Sequence, residues 1–146
     1  MTTGLELARS AVPATTELKA LYDSVGWTAY TSNMERLEQA LENSSHLVTA
    51  RDGDRLVGLA RCVSDDTSIA YVQDILVDPK CQHRGIGRAL LQDCLDRYEH
   101  VRQKVLITDD RPDQLRFYES LGFANTRGLV ENPINAFVII GDLELR

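Results

Sequence analysis

Apolar and polar residues repeat along this chain with two different periods, and each change of period marks a boundary between elements. Leu5-Glu6-Leu7-Ala8-Arg9 alternates with a period of two, the pattern of a half-buried first strand. After Pro13, Leu18, Leu21, Tyr22 and Val25 recur at three- and four-residue steps, which predicts a helix capped by Thr15 or Thr16 and ended by Gly26. Asn33 caps a second predicted helix with Met34, Leu37, Ala40 and Leu41 on one face. Residues 26–31 between the two helices read as an aromatic-bearing loop. From His46 the period returns to two. Residues 47–50 and 56–63 flank Asp52-Gly53, a hairpin signal because the turn needs a residue tolerant of positive φ.

A further strand over 70–77 ends in the apolar run Ile75-Leu76-Val77 and is stopped by Asp78-Pro79, because proline cannot donate to a sheet ladder. Ile86, Leu90, Cys94, Tyr98 and Val101, reinforced by Leu91 and Leu95, form a helical stripe, and Val105-Leu106-Ile107 reads as a buried strand. Strand, helix and strand in this order predict a βαβ unit with two parallel strands. Pro112 opens a short helix carrying Leu115, Tyr118 and Leu121, with Gly122 placed to end it. Residues 136–145 read as a C-terminal strand. The expected class is therefore α+β: a mixed, mostly antiparallel sheet with one parallel βαβ unit.

Composition narrows the picture. A chain of 146 residues suits one domain, here expected over 1–146, and 43% hydrophobic with 26% charged residues is ordinary for a globular protein. The net charge of −6 argues against a nucleic-acid partner, which needs a basic face, and favours cationic small molecules. Three cysteines, Cys62, Cys81 and Cys94, match no common zinc spacing, so neither a metal site nor a disulfide is expected. No signal-peptide pattern and no bilayer-length apolar stretch is present, so a cytoplasmic protein without a membrane partner is the expectation.

The candidate chemistry begins at Gln82-His83-Arg84-Gly85-Ile86-Gly87, between the strand ending at Val77 and the Leu90 helix. Glycines at 85 and 87 admit a ligand close to the backbone, and amides at a helix start favour anions. Arg84 and Arg88 add positive charge suited to phosphate. Two rival phosphate motifs fail: a dinucleotide fingerprint needs a small residue where Leu90 stands, and no Gly-Lys-Ser/Thr exists.

Gln82-x-x-Gly85-x-Gly87 after Val77-Asp78-Pro79 resembles the pyrophosphate signature of the GNAT superfamily of acyl-CoA N-acyltransferases. Phe117-Tyr118-Glu119-Ser120-Leu121-Gly122-Phe123 resembles that superfamily's second signature, in the expected order and spacing. Leu21-Tyr22-Asp23-Ser24-Val25-Gly26-Trp27 is similar to a subgroup of small bacterial members, itself similar to plant arylalkylamine (serotonin-type) acetyltransferases. The resemblance implies a GNAT-like sheet with helices on both faces and acetyl-CoA as donor. It implies that the donor is held by Ile75, Leu76 and Val77 and by the loop of Gln82, His83, Arg84, Gly85, Ile86, Gly87 and Arg88. Leu76 N–H is then a candidate oxyanion donor, and Tyr118 matches the tyrosine assigned to protonate the thiolate.

Asp74 is a candidate general base, with ammonium binding or a plain polar strand face as alternatives. Trp27, Tyr30, Tyr71 and Gln73 are candidate acceptor-site residues, suited to an amphipathic amine, although Trp27 fits equally as a hydrophobic plug. Arg111 stands where many members carry a coenzyme-contacting asparagine. The expected reaction is direct acetyl transfer to a primary amine, a small amine being favoured over a protein lysine or N-terminus. A non-catalytic acyl-CoA-binding module is the alternative, and a homodimer is left open.

Overall fold

The computed structural model describes residues 4–141, which fall into two compact units divided between Ile107 and Thr108. In the first unit, five strands form one sheet in the order β1-β2-β3-β4-β5: β1 Leu5–Arg9, β2 His46–Asp52, β3 Arg55–Ser64, β4 Ile69–Val77 and β5 Gln103–Leu106. The first three pairings are antiparallel and β4 pairs parallel to β5. This is the mixed, mostly antiparallel sheet that the change of period predicts. The β2–β3 hairpin closes on the pair Asp52 and Arg55, and Gly53 adopts φ +61°, the conformation for which a glycine is needed there.

Helices cover both faces, as neighbouring β3 residues show. A Cβ at Gly58 would meet Leu90 and Ile86 of α4 (Ile86–Arg97), whereas Leu59 belongs to a buried cluster with Leu18, Leu21 and Tyr22 of α1 (Thr15–Ser24) and Leu37 and Leu41 of α3 (Met34–Glu42). Successive strand residues point to opposite faces, so α4 lies on one side and α1 and α3 on the other. The stripe from Ile86 to Val101 is buried at Ile86, Leu90, Cys94, Tyr98 and Val101.

Several local expectations are corrected. Thr15 and Thr16 both lie inside α1; Ala14 is the N-cap, and its N–H is satisfied by the Glu17 carboxylate reaching back (3.1 Å). Residues 26–31 are not all loop, since Thr28–Thr31 forms one helical turn, α2. Val105 and Leu106 are only half-buried and Ile107 is 49% exposed, because the four-residue β5 has one sheet neighbour. Asn33 does cap α3, accepting from Arg36 N–H at 3.2 Å.

The second unit contains α5 (Pro112–Ser120) and a short 3-10 turn at Thr126–Gly128. Gly122 follows α5 at φ +95°, the left-handed stop expected of it. Residues 136–140 are irregular and exposed rather than strand, and pair with no strand among the described residues; residues 142–145 of that expected strand lie outside the described residues.

Candidate active site

The site begins with an irregularity in β4. Arg61 of β3 lies opposite Asp74, but the next β3 residue, Cys62, lies opposite Val72, so Gln73 is an extra residue, a β-bulge. The same point is where β4 loses β5: their ladder ends at Val72 and Leu106 while β4 continues to Val77. Residues 74–77 therefore pair with β3 alone within the sheet.

Which backbone groups face away from β3 follows from one hydrogen bond. Asp78 N–H donates to Val57 O at 2.8 Å, and with the unbroken register Gly58–Val77, Leu59–Leu76, Ala60–Ile75 and Arg61–Asp74, antiparallel alternation turns Leu76 and Asp74 toward β3. Ile75 and Val77 then present N–H and C=O on the β5 side. The expectation that Leu76 N–H is an oxyanion donor is corrected, since that amide is committed to the β3 ladder. The bulge is the reason: without it, the alternation running from Ser68, whose carbonyl accepts from Gln103 N–H of β5, would bring Leu76 to the outer edge.

Behind the bulge lies a buried polar network. Asp74 is 2% exposed and both its carboxylate oxygens are engaged: Oδ2 accepts from Arg61 Nε (2.5 Å) and the Tyr22 hydroxyl (2.9 Å), Oδ1 from the Tyr30 hydroxyl (2.8 Å). Gln73 Nε2 in turn donates to the Tyr30 hydroxyl at 3.1 Å. Burial, reinforced by the Asp74 charge, raises both tyrosine hydroxyls above the ordinary phenol range, so they remain neutral donors. Burial opposes the charge on Arg61, yet the Asp74 carboxylate more than offsets it and the guanidinium is held firmly protonated. Tyr71, half-buried, is also raised by burial and then by Asp74. Tyr22, Trp27 and Tyr30 form an aromatic trio with centroids 5.3 to 6.2 Å apart. Trp27 is half-buried against the α1 cluster, so it packs as a plug while touching the Tyr30 ring.

The structure thus brings Asp74, Gln73, Tyr71, Tyr30 and Trp27 into one neighbourhood. Arg61 and Tyr22 were not among the sequence candidates. The signal for Arg61 was a single charge inside the apolar run of β3, where a buried cation needs a buried anion within reach.

The glycine loop follows directly from β4. Asp78 caps the 3-10 turn Pro79–Cys81, its Oδ1 accepting from Lys80 N–H (2.9 Å) while Arg55 holds Oδ2 (2.6 Å). Gln82 Nε2 donates to Val77 O (3.4 Å), tying the loop to the end of β4. His83 and Gly85 both take left-handed backbone, φ +65° and +80°, and Gly85 is the N-cap of α4. A Cβ at Gly85 would meet nothing within 4 Å, so space is open above the backbone at the positive end of the α4 dipole. Arg84 pairs with Asp52 of the hairpin turn (3.1 Å), and Arg88 lies exposed in the first turn of α4. An anionic ligand with a pyrophosphate fits this cradle by space, dipole and charge.

In the second unit, Tyr118 is 8% exposed and its hydroxyl is pushed up to about 12, chiefly by burial, with hydrogen bonding to Thr108 opposing and Asp109 adding to the rise. Its ring packs edge-on against Phe117 and Phe123, centroids 5.1 and 6.0 Å away. Arg111 is the exposed N-cap of α5, 3.7 Å from Asp113. Among the described residues no cluster of three or more His, Cys, Asp or Glu could hold a metal, and no helix is long and apolar enough to cross a membrane.

Comparison with known proteins agrees with this geometry. Residues 23–133 match the family described as acetyltransferase (GNAT) domain. The chain belongs to the GNAT family. A GNAT-family acetyltransferase structure from Streptococcus pneumoniae superposes with a TM-score of 0.78 at 32% identity, covering 94% of this chain and 99% of that one. An uncharacterized N-acetyltransferase, ycf52, of Pyropia yezoensis is 32% identical over 111 residues, covering 73% of this chain and 63% of its own. Serotonin N-acetyltransferase 2, chloroplastic, of Oryza sativa subsp. japonica is 32% identical over 94 residues, covering 62% of this GNAT chain and 47% of the rice enzyme. The chain therefore spans between about half and two thirds of these curated relatives' lengths.

Proposed function

We propose that this GNAT chain is an acetyl-CoA-dependent N-acetyltransferase that acetylates a primary amine, a small amphipathic amine such as an arylalkylamine or polyamine, by direct attack in a ternary complex. The observation that carries the donor half is the continuity of the β4 edge at Ile75 and Val77 with the open loop at Gly85. When bound, acetyl-CoA supplies a thioester whose carbonyl carbon accepts the amine. Gly85, Ile86 and Gly87 amides, with Arg88 and with Arg84 exchanging Asp52 for phosphate, hold the pyrophosphate. Ile75 and Val77 hold the pantetheine arm through backbone groups, and Ile75 N–H, in place of Leu76 N–H, hydrogen-bonds the carbonyl oxygen.

Asp74 is too enclosed to meet an acceptor directly. Tyr30 is the half-buried member of its network, so the ammonium gives its proton to the Tyr30 hydroxyl as that hydroxyl passes its own to Asp74 Oδ1. Trp27, Tyr30, Tyr71 and Gln73 line the acceptor side, where an aromatic wall favours an amine with an apolar body. Tyr118 hydrogen-bonds the thiolate as its charge develops, and the second proton lost by the attacking nitrogen goes to that thiolate, so coenzyme A departs as the thiol. Cysteine nucleophiles are disfavoured: all three cysteines are buried, and Cys94 is raised far above an ordinary thiol by its hydrogen bond with Cys62 and by burial.

Mass spectrometry of products after incubation with acetyl-CoA separates the acceptor classes. Acetylated small amines with unmodified protein lysines are expected; acetylation confined to protein lysines or N-termini would refute the acceptor assignment.

A further inference from the structure

Arg61 is the one buried cation among the described residues, 6% exposed. Stability alone is a weak reason for it, since a buried ion pair is often matched or bettered by apolar residues of the same volume. Its location supplies a stronger one. Arg61 and Asp74 are the last regular pair before the register shifts, and the extra residue, Gln73, lies directly beside them. Tyr22 and Tyr30 fix the same carboxylate from the helical side, and Gln73 is tied to Tyr30. Arg61, Tyr22 and Tyr30 thus all engage Asp74, with Gln73 tied in through Tyr30, while Arg61 Nη1 also donates to Ser44 Oγ (3.4 Å). A strand shifted by one residue exchanges both its faces and its edges. A bulge lost, or displaced beyond Val77, would send Leu76 to the β5 side and turn Ile75 and Val77 into β3.

We propose that Arg61 is a positioning residue for acyl transfer: by pinning Asp74 beside the bulge at Gln73, it fixes which β4 amides face the donor. The pinning stands on β3–β4 geometry alone, and its catalytic consequence rests on the function proposed above. Arg61 touches neither donor nor acceptor. Its guanidinium holds the β4 carboxylate from the facing strand by a directed Nε–H···O bond, which a lysine ammonium does not reproduce in the same plane.

Amide hydrogen exchange by NMR on the ligand-free full chain tests this, with wild type and Arg61→Lys compared. In the wild type the Leu76 amide exchanges slowly and those of Ile75 and Val77 quickly. In Arg61→Lys the Leu76 amide is expected to exchange at least about 10-fold faster, with the alternation across 75–77 lost and β2 unchanged. The kcat for amine acetylation is expected to fall about 10-fold or more, as small misplacements at a reacting centre do. A folded Arg61→Lys that keeps the alternation and the wild-type kcat overturns the proposal, even if its Tm is lower.

If Arg61→Lys fails to fold, Arg61→Met combined with Asp74→Leu replaces the pair by apolar residues of similar volume. Alternation retained in that folded double variant overturns the proposal, and alternation lost supports it. A separate calorimetric titration of wild type with coenzyme A keeps the two readings apart. Alternation lost in the variant, with no coenzyme A bound by the wild type, supports the pinning and refutes the donor assignment and its catalytic consequence.

Discussion

Tyr118 shows how burial limits the acid role proposed for it. In that proposed role a phenol at about 12 would give its proton to a thiol near 8.5 about 3.5 pKa units uphill, on the order of 5 kcal/mol for complete transfer. Its contribution is therefore a hydrogen bond to a developing thiolate more than a finished proton transfer. Tyr118→Phe is expected to lower kcat about 10- to 100-fold while leaving coenzyme A affinity within about twofold, measured by steady-state kinetics and calorimetry. Because the hydroxyl stays protonated to well above pH 10, it sets no alkaline fall in kcat below that pH. An unchanged kcat would remove Tyr118 from the reaction. At Asp74 the sequence marked a carboxylate on the strand, but not that both its oxygens are already occupied; that depends on Arg61, Tyr22 and Tyr30, 13 to 52 positions away.

At the scale of elements, the sheet and α4 approach each other closely at Gly58. A Cβ there would lie 2.9 Å from Leu90 Cδ1, 3.1 Å from Ile86 Cγ2 and 3.3 Å from the Leu76 carbonyl oxygen. Leu90 is fully buried and has little room to withdraw, so Gly58→Ala is expected to destabilise by about 1–3 kcal/mol, read as a lower urea midpoint with an unchanged m-value. A midpoint at or above wild type would show that α4 is free to retreat. The strands and α4 were legible because their period is set by burial on a face, which the residues themselves carry. The Gln73 bulge was not, since Ile69–Val77 reads as one run of strand residues and the extra residue shows only against β3. Residues 136–140 failed for a related reason: an apolar pattern describes a segment able to pair and does not itself supply a partner strand.

For the molecule as a whole, titration ties stability to the buried polar groups. Unfolded tyrosines ionise near pH 10, whereas folded Tyr118 does so at about 12 and Tyr22 higher still. Between these values the unfolded chain binds fewer protons than the native one, so stability falls as pH rises above about 10. The urea midpoint should therefore be lower at pH 11 than at pH 8, and Tyr118→Phe should lessen the difference; an equal midpoint at both pH values would contradict the burial of these hydroxyls. Family membership was legible from Gln82 to Gly87 and Phe117 to Phe123, because a positive-φ glycine at a helix start and a second motif at fixed spacing constrain residue type. The buried network around Asp74 was less so, since it is assembled from α1, α2, β3 and β4 by side chains with no fixed spacing. The measurement that tests the central claim most directly is amine-dependent thiol release from acetyl-CoA, wild type against Gly85→Glu, over a panel of arylalkylamines, polyamines, amino acids, aminoglycosides and lysine peptides. Gly85→Glu places a side chain at φ +80° and a carboxylate over the anion cradle, so the account predicts release by wild type with at least one small amine and none by the variant. Coenzyme A binding by wild type with no release across the whole panel would contradict it.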